Sequence, residues 1–72
     1  MNNLEAMVIK VLTSYNEGAA VDTTDPLTKR VVDKLWRRGL LVKAVSNGEM
    51  SVSDYGRRVL RKFKAMEGEV AQ

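Results

Sequence analysis

Apolar residues change from a helical period to an alternating one at Gly39, and that change commits the chain to a mixed α+β fold. Upstream, Leu27, Val31 and Leu35 recur every four residues, and Val32 and Trp36 repeat the interval. At about 100° per residue they make one apolar face. Lys29, Arg30, Asp33, Lys34 and Arg37 fall on the opposite side. Pro26 suits a first helical position, where a missing N–H costs nothing, and Asp25 before it can cap the free N–H groups. Gly39 can take the left-handed conformation that ends a helix, while Arg37 and Arg38 complement the negative end of its dipole. The spacing therefore predicts a helix over 26–38.

Beyond Gly39 the pattern predicts a β-hairpin closed by Asn47-Gly48 as a two-residue type I′ turn. That turn sets Ser46 against Glu49, Val45 against Met50, Ala44 against Ser51 and Lys43 against Val52. One face then collects Leu41, Val45, Met50 and Val52, and it requires a surface to lie on.

The rest of the chain supplies that surface. Leu4, Met7, Val8, Val11, Leu12 and Tyr15 form a helical stripe over residues 2–16, with Asn2 or Asn3 as cap and Gly18 as stop. Residues 19–25 are too few for a helix with its turns. Ala19 to Val21 could add a short third strand, and Asp22 to Asp25 is turn and cap chemistry. Val59, Leu60, Phe63 and Met66 predict a last helix from Ser53 or Asp54 to Met66, with Tyr55 near its start and Gly56 implying a close packing contact. Residues 67–72 lack periodicity and are expected to fray as a flexible C-terminal tail. The expectation is one α+β domain over residues 1–66, three helices around a hairpin.

Seventy-two residues lie near the lower limit for a core without staples, and with no cysteine there is no disulfide or thiolate site. No apolar run reaches a membrane span, and the start of the chain lacks the marks of a signal peptide, so a cytoplasmic location is expected. Histidine is absent too. Without the usual bases, nucleophiles, metal ligands or a glycine-rich phosphate loop, no enzyme, metal or cofactor is expected. Charge is unevenly distributed. Residues 1–25 hold one lysine against four acids, residues 26–64 eleven cations against Asp33, Glu49 and Asp54, and residues 65–72 two acids. The overall +3 thus conceals a strongly basic middle, as suits an anionic partner. Arg57, Arg58, Arg61, Lys62 and Lys64 are its densest cluster.

From Asp25 onward the sequence resembles the winged-helix regulators of the MarR and PadR kind. The resemblance rests on Leu35-Trp36-Arg37-Arg38-Gly39-Leu40-Leu41 and on Val52-Ser53-Asp54-Tyr55-Gly56-Arg57-Arg58-Val59-Leu60. It covers residues 25–63. Such domains carry another helix before the recognition helix; here residues 17–25 leave room for a single turn or a loop. The resemblance implies a small winged-helix DNA-binding protein, a transcriptional regulator or a phage or mobile-element accessory factor. Helix 26–38 would enter the major groove and present Lys29, Arg30, Asp33, Lys34 and Arg37. The wing over 45–50, with Ser46 and Asn47 at its tip, would meet the backbone, as would Arg57, Arg58 and Arg61. The partner implied is double-stranded DNA. A homodimer through the first and last helices would fit, and the alternative is a winged helix that docks on another regulator, polymerase or nuclease.

Overall fold

A computed structural model describes residues 3–71, with side chains up to Met66. Its elements are α1 (Asn3–Asn16), α2 (Pro26–Arg37), β1 (Leu41–Lys43), β2 (Met50–Val52) and α3 (Asp54–Ala71). Three helices and a two-stranded antiparallel hairpin make a small α+β domain with a winged-helix layout.

The ends of α2 form as their residues dictate. Asp25 Oδ2 accepts the Thr28 backbone N–H at 3.0 Å and the Thr28 hydroxyl at 2.7 Å, with Pro26 opening the first turn. At the other end Gly39 has φ +80°. Its N–H donates to Trp36 O and that of Leu40 to Leu35 O, a Schellman closure. α1 stops the same way, with Gly18 N–H on Tyr15 O and Ala19 N–H on Ser14 O. Asn3 is the first helical residue of α1, and Asn2, the other candidate cap, lies outside the described residues.

Between α1 and α2 the chain is a loop. No helical turn and no third strand occurs there among the described residues, so the option of a strand over Ala19 to Val21 falls away. The side chain of Asp22 instead folds the backbone locally, accepting both the N–H and the hydroxyl of Thr24. These bonds, the hydroxyl's first, hold the Asp22 carboxyl below its usual pKa. Val21 turns inward and packs against the core.

The hairpin register differs from the two-residue turn read in the sequence. Leu41 pairs with Val52, Val42 with Ser51 and Lys43 with Met50. A type I′ turn needs positive φ at both central residues, and only Gly48 has it, at +70°. Asn47 keeps negative φ, and its Oδ1 accepts the Glu49 N–H at 3.0 Å. Ala44 N–H donates to Glu49 O and Gly48 N–H to Ala44 O, so Val45 to Gly48 form a four-residue loop. The register moves by an even number, which leaves Leu41 and Val52 on the buried face. Val45, expected on that face, is fully exposed in the loop instead.

The core consists of Val11 and Leu12 from α1, Val31, Val32 and Leu35 from α2, Leu40, Leu41 and Val52 around the hairpin, and Leu60 from α3. Burial on this scale is the main force holding the helices to the hairpin. Leu27 and Leu4, though on the apolar stripes, are half exposed. α1 packs against α2, α3 and β2, while β1 meets the helices through α2. Partial burial raises the Tyr15 phenol above its usual pKa.

Ser53 joins the hairpin's exit to its entry. Its N–H donates to Leu40 O, its hydroxyl donates to Gly39 O at 2.5 Å, and its Oγ accepts the Gly56 N–H at 3.0 Å, capping α3. Gly56 is buried where α3 crosses Leu40, and a Cβ there would stand 2.2 Å from Leu40 O and 2.7 Å from Val52 Cγ1. The close contact implied by a glycine at this position is thus with the hairpin's base. α3 then runs on to Ala71, past Met66 where periodicity ends. Extending a formed helix adds one hydrogen bond per residue, and Glu67, Glu69 and Ala71 are compatible with it without any apolar stripe.

Candidate nucleic-acid interface

Burying Val31, Val32 and Leu35 fixes how α2 is rotated about its axis. Arg30, Asp33 and Arg37 consequently point straight away from the core, and all three are exposed. Lys29 shares a flank with Trp36. β1 packs on α2, and Lys43 Nζ stands 5.6 Å from the centroid of the half-exposed Trp36 ring, a cation–π approach. The hairpin therefore adjoins the Lys29 side of the helix. Ser46 and Asn47 are exposed in its loop, but Asn47 Oδ1 is engaged by Glu49 N–H.

Lys34 lies on the other flank of α2. With Arg38 it borders an open groove of about 300 Å³ that Leu4 and Val8 of α1 and Tyr55, Val59 and Phe63 of α3 line with apolar surface. Leu4 and Tyr55 are 50% and 51% exposed, so the groove presents much uncovered hydrocarbon and ring. The sequence places Leu4, Val8, Val59 and Phe63 on apolar stripes and Tyr55 only near the start of the last helix.

The arginines of α3 do not gather beside α2. Leu60 and Gly56 must face inward, which turns Arg57 and Arg61 to the flank opposite the groove. There they line a smaller groove of about 170 Å³ with Lys64, Leu60 and Asn16 at the end of α1. Arg57 pairs with Asp54 and reaches Val52 O through Nη1 at 3.5 Å. Arg58 is exposed on the outer side. Among the described residues the Arg57–Asp54 contact is the ion pair found, and Lys29, Arg30, Lys34, Arg37, Arg58 and Arg61 have no carboxylate within salt-bridge distance there.

Chemically the α2 surface offers exposed cations and an acceptor carboxylate on a helix whose ends and back are pinned. That arrangement can bind phosphates and reach base edges. Among the described residues, no three potential metal-ligating side chains cluster, and no helix is long and apolar enough to cross a membrane. Compared with known protein families, curated proteins and solved structures, the chain matches none.

Proposed function

We propose that the chain binds duplex DNA, with α2 as the reading helix, and serves as a small transcriptional regulator or mobile-element accessory factor of the winged-helix kind. The observation that carries this reading is the outward face of α2. Lys29, Arg30 and Arg37 are exposed there without carboxylate partners among the described residues, on a helix capped at both ends and anchored by Val31, Val32 and Leu35. A rigid cationic helix loses little conformational freedom on meeting a phosphate backbone. Asp33 among the cations could accept from cytosine N4, so the face has the means to discriminate sequences. Here the α1–α2 loop stands where a bracing helix is usual, and the Asp25 cap and Schellman closure hold α2 in its place.

Fluorescence anisotropy of a labelled mixed-sequence duplex, titrated at several salt concentrations, tests the proposal. Three phosphate contacts give a log–log salt slope of about −2.7, a weakening of roughly 40-fold from about 50 to 200 mM salt. Arg30→Ala and Arg37→Ala should each reduce the slope by about 0.9. Binding that ignores both substitutions would remove α2 from the interface. No binding at low salt would overturn the function.

The exposed groove lined by Leu4, Val8, Tyr55, Val59 and Phe63 favours a second reading, a protein-docking winged helix. Under that reading Tyr55→Ala abolishes partner capture and the α2 substitutions leave it intact.

A further inference from the structure

α3 carries two rows of side chains that serve different surfaces. Tyr55, Val59 and Phe63 line the groove shared with α2, whereas Arg57, Arg61 and Lys64 line the groove at the end of α1. At about 100° per residue these rows lie roughly 170° apart around the helix axis. The cationic row therefore sits on the side of α3 turned away from α2. α1, packed against both, holds the two helices in this relation.

The chemistry of the row indicates its partner. Arg57, Arg61 and Lys64 span about 10 Å of helix at about 1.5 Å per residue, with Arg58 on the adjoining outer face. The apolar side chain within it, Leu60, is buried, so no hydrophobic anchor is offered. Protein interfaces set arginine anchors among buried aromatic ones, and no aromatic side chain lines this groove, whereas a chain of phosphates needs only cations in series. With Arg57 paired to Asp54, the charge left for a partner rests on Arg61 and Lys64, which have no carboxylate partner among the described residues.

We propose that this row is a second DNA-binding surface, and that one copy of the chain bridges two duplex segments, one on α2 and one on α3. The proposal rests on the DNA reading of α2. A duplex has a persistence length of about 150 base pairs, so a single short one cannot bend around the molecule to meet both surfaces. The short axes of the molecule measure 25 and 21 Å, which sets the separation of the bridged segments.

The test is a capture assay. One short duplex is fixed to beads, a second labelled duplex is added with the protein, and retained label is counted at low and moderate salt. The wild type should retain the label, with retention rising and then falling as protein saturates each duplex separately. Arg61→Ala combined with Lys64→Ala should reduce capture at least about tenfold while anisotropy on a single duplex stays within about threefold. Both side chains are exposed, so circular dichroism should show the fold unchanged. If the protein binds single duplexes but captures no second one, the bridging surface is overturned and the α2 reading stands. Capture that survives the double substitution also overturns it, since bridging would then come from self-association. Failure to bind any duplex would overturn both.

Discussion

Replacing Gly56 with alanine tests the packing on which the rest of the molecule depends. Glycine costs a helix up to about 1 kcal/mol relative to alanine, so propensity alone predicts that the substitution stabilises α3. Packing predicts the reverse. The added Cβ would stand 2.2 Å from Leu40 O, 2.7 Å from Val52 Cγ1 and 3.0 Å from Leu40 C. The nearest neighbour is backbone, and it is itself engaged, because Leu40 O accepts the Ser53 N–H at 3.0 Å. Relief requires α3 to retreat from the hairpin's base by roughly an ångström, which strains the Ser53 bonds and opens the contact with Val52. Overpacking of this kind costs about 1–3 kcal/mol. After the propensity gain a net loss of up to about 2 kcal/mol remains, and in a domain this small each kcal/mol lowers Tm by about 4–8 °C. Thermal unfolding followed by far-ultraviolet circular dichroism measures the shift. An unchanged or higher Tm would refute the close approach, because only helix propensity would then be acting.

Other outcomes follow from the same geometry. Asp25→Ala removes the acceptor for the Thr28 amide and hydroxyl and should cost about 1 kcal/mol in urea unfolding, whereas Asp25→Asn should cost less. Ser53→Ala removes both the α3 cap and the bond to Gly39 O, and should lower stability by about 1–2 kcal/mol without altering the helical content at low temperature. The pKa of Asp22 is lowered in the fold, so its contribution is present above the unfolded value of 3.8 and lost as pH falls through the lower folded one. The stability difference between wild type and Asp22→Ala should therefore be constant near neutral pH and shrink below about pH 4, as paired acid titrations would show. Trp36 is the sole tryptophan and 47% exposed, so its fluorescence should be readily quenched by acrylamide in the native state.

What could be read in advance depended on how local its cause was. The start of α2 at Asp25-Pro26 and the stops at Gly18 and Gly39 follow from side chains and backbone within one turn, and each formed as expected. The hairpin register depended on a choice between two loops that the same Asn47-Gly48 can close. Asn47 favoured the longer one because its side chain can bond Glu49 N–H while its own φ stays negative. The length of α3 was underestimated because apolar periodicity marks where a helix is buried, not where it ends. The basic middle of the chain is continuous in the sequence but not in space. Its division depends on how far α3 is rotated relative to α2, and that is decided by Gly56 meeting Leu40, a contact sixteen residues apart in the chain. The groove is not legible in the sequence for a related reason. Spacing identifies an apolar stripe but not how much of it the neighbouring elements cover.

The bonds of Ser53 have an evolutionary consequence. Leu40 and Ser53 are held together at the foot of the hairpin, and Leu41 opposite Val52 supplies its share of the core, so the helices are already secured before the chain reaches Lys43. Everything from Ala44 to Glu49 lies beyond that fastening and contributes nothing buried. The tip is free to lengthen, shorten or change its residues under selection while the body that carries it keeps its shape. Loop closure adds only about 0.6 kcal/mol for each doubling of length. A lineage could therefore retune what this small protein touches by rewriting six residues, leaving the remainder of the gene as it stands.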